Sequence, residues 1–136
     1  MMNDPLILKD EAYAITGACF EVYRELGSGF LESVYQECLA LELTRRGVPF
    51  EQQVRLSLKY KDAPIRSEFV ADFVCHGAII LEIKSVSGLN EVHRAQILHY
   101  LKITGKPLGL LINFGAHPKA VVERFVATRG RYAPVP

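Results

Sequence analysis

The sequence is short of the cysteines that a disulfide framework or a zinc site would need. Its three cysteines, Cys19, Cys38 and Cys75, are an odd number and include no C-x-x-C pair, so neither kind of structure is supported. Each lies within an apolar segment, which favours small buried side chains in a reducing compartment.

Long hydrophobic runs are also missing. Residues 4–11 mix charged side chains with the short apolar cluster Leu6–Leu8, without the basic start and long apolar core of a signal peptide. No run approaches the ~20 residues of a transmembrane helix. We therefore expect a cytoplasmic protein that does not enter a membrane.

The sequence has little net charge and no motif of covalent catalysis. Its 16 Lys and Arg nearly balance 15 Asp and Glu, for a formal charge of +1, so nucleic-acid binding would depend on a local patch. G-x-S-x-G is absent, and Gly27–Gly29 lacks the lysine and spacing of a phosphate-binding loop. With 136 residues and no repeat or linker, the chain is expected to form one domain, residues 1–136.

Apolar periodicity predicts an α/β fold. Three helices are expected: Glu11–Leu26, a second that Ser28 or Gly29 caps and that ends near Arg46, and Glu91–Thr104 with Asn90 as its cap. Strands are expected within residues 50–60, 69–85 and 108–114, residues 120–127 fit a strand or a helix, and residues 129–136 are expected to fray. This order predicts a mixed sheet with helices on both faces.

The stretch Phe69–Ser85 is typical of two apolar strands, but it carries charges in unexpected places, Asp72 in the first strand and Glu82 in the second. A three-residue loop, His76–Ala78 with Gly77 left-handed, sets the two carboxylates opposite each other, whereas a two-residue loop leaves them on opposite faces. We predict the three-residue count, or a bulge with the same effect, because two buried carboxylates need a shared cation.

These carboxylates fit metal-assisted phosphodiester hydrolysis. Asp72, Glu82 and a backbone carbonyl, that of Ile83, would hold Mg²⁺ or Mn²⁺, which would polarise the phosphate and lower the pKa of an attacking water. Lys84 shares a face with Glu82 and would position that water or stabilise charge on the phosphoryl group. The alternative is a surface hairpin with solvated charges, against which the apolar neighbours on both faces argue.

Two motifs resemble a known enzyme family. Asp72, followed ten positions later by Glu82-Ile83-Lys84, is similar to the signature of the PD-(D/E)xK nuclease superfamily, whose usual proline before the aspartate is here Ala71. Residues 29–35, Gly-Phe-Leu-Glu-Ser-Val-Tyr, match the more specific G-x-x-E-x-x-Y motif that names a small family within it.

The resemblance spans about residues 9–127, since residues 95–101 are similar to that family's helix after the E-x-K strand. It implies a restriction-endonuclease-like core of helix, three strands, helix and strand, with an extra N-terminal helix here. It also implies that Glu32 supplements the metal site and that Gln96 faces it. On helical geometry alone, Glu32 fits equally a first-turn acid favoured by the helix dipole, and Gln96 an interfacial amide that caps a backbone group.

The predicted function is that of a metal-dependent nuclease acting on nucleic acid, with DNA favoured, whose catalytic residues are Asp72, Glu82, Lys84, Gln96 and Glu32. A homodimer or a protein partner would supply specificity to so small a domain. Two alternatives stay open: a non-catalytic nucleic-acid-binding or protein-interaction module that keeps the fold, and a metal-dependent enzyme for another phosphorylated or carbohydrate substrate. Basic residues that flank the site in sequence form either a phosphate-binding rim or a solvated surface: Lys59, Lys61, Arg66, Arg94, Lys102 and Lys106.

Overall fold

Helices form where the apolar periodicity predicts them. The computed structural model describes residues 7–128 and 131–135. Its helices are α1, Lys9–Leu26, α2, Glu32–Arg45, and α3, Glu91–Thr104. The predicted span of α3 is confirmed at both ends, because the Asn90 side chain caps its first turn and left-handed Gly105 ends it. Within the described residues, no helix is long and apolar enough to cross a bilayer.

The start of α2 differs from the prediction. We expected Ser28 or Gly29 to cap this helix, but it begins at Glu32, and its N-cap residue Leu31 makes no side-chain capping bond. The connection from α1 is held instead by the Tyr35 hydroxyl, which donates to the Gly27 carbonyl at 2.5 Å. Glu32 therefore occupies the first position of α2, where the helix dipole favours an acid.

Six strands form one mixed sheet in the order β1-β4-β5-β6-β7-β8, in which β5 and β6 are parallel and the other neighbours antiparallel. The strands are β1, Phe50–Leu56, β2, Lys59–Tyr60, β3, Ala63–Pro64, β4, Phe69–Cys75, β5, Ile79–Lys84, β6, Leu108–Asn113, β7, Val121–Thr128, and β8, Arg131–Val135. Strands β2 and β3 form a separate small hairpin. The single strand expected over residues 50–60 is therefore broken after Leu56.

The C-terminal part adds two strands to the predicted core. The choice between helix and strand for residues 120–127 is settled as strand β7, which pairs with β6. The expectation of a frayed tail is corrected for residues 131–135, because β8 pairs with the edge of β7 and satisfies backbone groups that an edge leaves open. Residues 129, 130 and 136 of that tail lie outside the described residues.

Apolar clusters lie on both faces of the sheet, as predicted. One packs α1 and α2 onto the sheet through side chains that include Ile15 and Leu39. The other packs α3 through Ile97 and Leu101. All four of these side chains are fully buried, so the sheet is held on both sides and its strand positions are well defined.

The turn between β4 and β5 follows the predicted count. Cys75 pairs with Ile79, which leaves His76, Gly77 and Ala78 as a three-residue loop. Gly77 is left-handed, with φ 64°, and His76 adopts φ 54° as well. The prediction of a three-residue loop is confirmed, and it sets the register of the charged residues at the other end of the hairpin.

Candidate metal and catalytic site

The Asp72 and Glu82 carboxylates bridge β4 and β5 where the backbone pairing of the two strands stops. That pairing runs from Cys75↔Ile79 to Phe73↔Leu81, and one further step sets Asp72 opposite Glu82. Beyond Phe73, side-chain carboxylates accept the hydrogen bonds that connect the two strands. The Asp72 N–H donates to a Glu82 carboxylate oxygen at 2.7 Å, and the Ile83 N–H donates to an Asp72 carboxylate oxygen at 2.8 Å. The two carboxylates are thus brought together, as the three-residue turn requires.

The pairing of β4 with its other neighbour, β1, is also interrupted at Asp72. Gln52 pairs with Phe73 and Val54 pairs with Ala71, so Gln53 lies at the intervening position. Gln53 is left-handed, with φ 52°, and its side chain hydrogen-bonds the Asp72 carboxylate. The backbone pairing of β4 is therefore interrupted at Asp72 on both sides, towards β1 and towards β5. The Asp72 backbone and side chain can then bind other partners.

One of those partners comes from α2. The Gln36 side-chain amide donates to the Asp72 carbonyl at 3.3 Å and to the Gln52 side-chain oxygen at 3.1 Å. A backbone carbonyl left without its strand partner needs another donor when it is partly buried. Gln36 supplies that donor and ties α2 to the interrupted strands.

Ionising both carboxyls of the pair is unfavourable, and the pKa of each is raised. Burial, with a smaller contribution from the charge of Asp72, raises the pKa of the Glu82 carboxyl to about 8, although the Asp72 N–H and Lys84 oppose the change. Burial also raises the pKa of Asp72, against the hydrogen bonds from Ile83 and Gln53 and the charge of Lys84. Glu82 is only 2% exposed. A cation between the carboxylates would remove much of the cost of ionising both.

The backbone carbonyl of Ile83 faces the same gap. The Lys84 carbonyl accepts a hydrogen bond from the Phe114 N–H, on the β6 side of β5, at 2.8 Å. Backbone groups of successive residues point to opposite sides of a strand, so the Ile83 carbonyl points towards β4. Its N–H, which donates to Asp72, lies on that side too. Two carboxylates and one backbone carbonyl therefore lie between β4 and β5, and oxygen donors of these kinds suit Mg²⁺.

Lys84 is held in place by α3. Its ammonium donates to the Gln96 side-chain oxygen at 2.8 Å, and the Gln96 amide nitrogen donates to the Tyr100 hydroxyl at 3.3 Å. Gln96 therefore faces the site, and its bonds run to side chains rather than to the backbone group of the alternative interpretation. The chain of hydrogen bonds fixes the lysine beside the carboxylates.

Glu32 lies at the edge of the site and is exposed. Desolvation raises the pKa of its carboxyl, the charge of Lys84 lowers this pKa and the charge of Asp72 raises it. Glu32 therefore interacts electrostatically with both residues. Over residues 7–128 and 131–135, no three His, Cys, Asp or Glu side chains are gathered in a metal-binding cluster. The structure therefore does not join Glu32 to Asp72 and Glu82 as a preformed third carboxylate.

Two of the basic residues proposed to bind phosphate around the site, Arg94 and Lys106, already have partners within the protein. Arg94 is bound to Glu123, with its Nε at 2.8 Å, and to Glu91 at 2.7 Å. Lys106 donates to the Gly77 carbonyl, at the turn end of the hairpin away from Asp72. These two side chains are committed to structural contacts.

Sequence reasoning missed Gln36 and Gln53. Gln36 could have been found, because it lies one turn after Glu32 on α2, on the side that faces the sheet. Gln53 gave no signal, since glutamine has no preference for left-handed backbone and nothing in the alternation of β1 marks it.

Comparison with known proteins agrees with this geometry. The family model of the PD-(D/E)XK nuclease superfamily matches residues 9–125. Searches of curated proteins and of solved structures each found no significant match. Nucleases of this superfamily generally use divalent metal ions. The chain, with its mixed sheet between helices in a restriction-endonuclease-like fold, belongs to the PD-(D/E)XK nuclease superfamily.

Proposed function

We propose that this protein is a Mg²⁺- or Mn²⁺-dependent nuclease that hydrolyses phosphodiester bonds of nucleic acid, with DNA the favoured substrate. The observation that carries the proposal is the pairing of the Asp72 and Glu82 carboxylates across β4 and β5, beside a lysine held by Gln96. A solvated surface hairpin would not bury Glu82 to 2% exposure.

In this proposal, Asp72, Glu82 and the Ile83 carbonyl hold the metal, and Glu32 adds negative charge at the edge of the site. When bound, the ion supplies Lewis-acid polarisation of the phosphate and a water of lowered pKa. Three oxygen donors leave room for the waters that Mg²⁺ retains. The site can therefore bind an ion and still admit a phosphate group.

Lys84 and Gln96 provide the groups that act on the substrate side. The Gln96 oxygen holds the Lys84 ammonium at one position, so two of its three N–H donors stay available for an attacking water or a phosphoryl oxygen. A fixed cation near developing negative charge stabilises the transition state more than a mobile one. The Tyr100 hydroxyl orients the Gln96 amide, which leaves the amide oxygen to the lysine.

Specificity for a nucleic-acid sequence or structure is assigned in this proposal to a second copy of the chain or to a protein partner, because the domain is short. Light scattering on the purified protein, alone and with duplex DNA, checks the first option. A monomer in both samples would exclude the second copy and leave a protein partner as the source of specificity.

The experiment is cleavage of end-labelled single- and double-stranded DNA and RNA with Mg²⁺ or Mn²⁺. Lys84→Met is expected to lower the rate about 100-fold or more. Lys9→Met is the matched control, since exposed Lys9 begins α1 and is not one of the candidate rim residues, and it should cleave at the wild-type rate. Equal rates for both variants would refute the role of Lys84, and no cleavage by wild type would favour a non-catalytic module.

A further inference from the structure

Gln53 has an unusual backbone conformation for its position. The described residues other than glycine with positive φ are Leu8, Gln53, Lys61 and His76. Leu8 is the N-cap of α1, and the other two lie in hairpin turns, where such backbone is common. Gln53 lies inside a strand, between residues that pair normally with β4.

This conformation carries a steric cost, because the Cβ of an L-residue crowds the backbone at positive φ. Glycine, asparagine and aspartate tolerate it best, and glutamine has no such advantage. Gln53 is exposed, so burial of its side chain does not offset the cost. Strain of this kind persists where the surrounding structure imposes it, and it concentrates at functional sites.

The Gln53 side chain reaches the candidate metal ligand from this strained position. The register of β1 and β4 sets Gln53 directly opposite Asp72, and a hydrogen bond from the Gln53 side-chain amide lowers the pKa of the Asp72 carboxyl. The Ile83 N–H binds an oxygen of the same carboxylate at 2.8 Å. Two donors on opposite sides, from β1 and β5, therefore fix the orientation of Asp72.

We propose that Gln53 is a positioning residue that orients Asp72 for metal binding, at the expense of the local stability of β1. The inference rests on the proposed function, since it assigns a role within the same metal site. A neutral amide suits this role because it holds the carboxylate without adding a positive charge that would repel the metal ion. Hydrogen-bonding partners of metal ligands typically change metal affinity 10- to 100-fold when removed.

The strain is tested by comparing glycine with alanine at neighbouring positions in the metal-free protein. In an ordinary strand alanine is more stable than glycine, and Gln52, which pairs with Phe73, is the control position. At residue 53 the glycine variant should be more stable than the alanine variant. Gln53→Gly is expected to have an unfolding equilibrium constant about fivefold lower than Gln53→Ala, measured by urea denaturation in EDTA. The same order at both positions would overturn the strain argument.

The positioning role is tested by Mn²⁺ affinity, measured by electron paramagnetic resonance under conditions where each variant is fully folded. Both Gln53→Ala and Gln53→Gly lack the amide, so each should weaken Mn²⁺ binding about tenfold or more. Ser57→Ala, an exposed change just after the end of β1, should bind as wild type does. Glycine would thus restore stability without restoring affinity, which a purely structural role of Gln53 does not produce.

The outcomes separate this inference from the proposed function. If wild type binds Mn²⁺ and the residue 53 variants bind it equally well, the positioning role is overturned and the metal site stands. If wild type binds no Mn²⁺, the proposed function and the positioning role both fail.

Discussion

Glu82→Gln should remove most of the pH dependence of stability between pH 6 and pH 8. Burial raises the pKa of Glu82 from its ordinary value of 4.5 to about 8, so in this range the folded protein keeps a proton that the unfolded chain has lost. The folded state binds more protons, and stability must fall as pH rises. One bound proton corresponds to about 1.4 kcal/mol per pH unit. Wild type should therefore lose about 2–3 kcal/mol over these two units.

Glutamine is nearly isosteric with glutamate and cannot ionise, and its amide oxygen can accept the hydrogen bond from the Asp72 N–H. The assay is urea denaturation at pH 6, 7 and 8 in EDTA, so that no metal ion holds the site. Glu37→Gln, an exposed change of the same chemistry on α2, should leave the wild-type slope in place. Parallel pH profiles of wild type and Glu82→Gln would refute the argument that buried Glu82 holds a proton.

Two further predictions concern the fold and the lysine. Gly115→Ala should destabilise the protein by about 1–3 kcal/mol, because an added Cβ would lie 2.2 Å from the Val86 carbonyl oxygen. Gly88→Ala is the control, since a Cβ there meets nothing within 4 Å. A thermal melt in which Gly88→Ala is the less stable variant would contradict this close approach. Gln96→Ala should lower kcat of cleavage about tenfold with little change in KM, since it releases the Lys84 ammonium, and steady-state kinetics with an unchanged kcat would remove Gln96 from the site.

The sequence predicts those parts of the site that follow from alternation and turn length. Phe69–Ser85 has apolar residues on both faces, so Asp72 and Glu82 could be recognised as buried charges, and the loop through Gly77 fixed their register. The ends of α3 were equally predictable, because Asn90 and Gly105 are residues whose local chemistry starts and stops helices.

Features set by tertiary contact were not predictable. Leu31 precedes α2 without a capping side chain, because Tyr35 fixes the connection through its hydroxyl. Strand β8 forms because β7 offers it an edge, a property of the assembled sheet. The left-handed residue Gln53 lies opposite Asp72 of another strand, and no local pattern in β1 encodes this conformation.

The measurement that tests the central claim most directly is isothermal titration of Mn²⁺ into wild type and Asp72→Asn at pH 7, in two buffers of different ionisation heat. Wild type should bind Mn²⁺ and release about one proton, because the metal must displace the proton that Glu82 holds at this pH. Asp72→Asn keeps an acceptor for the Ile83 N–H but removes one charged ligand, so its affinity should fall by at least about tenfold. Equal affinity in the two proteins, or no binding by wild type, would contradict a metal site built on Asp72 and Glu82.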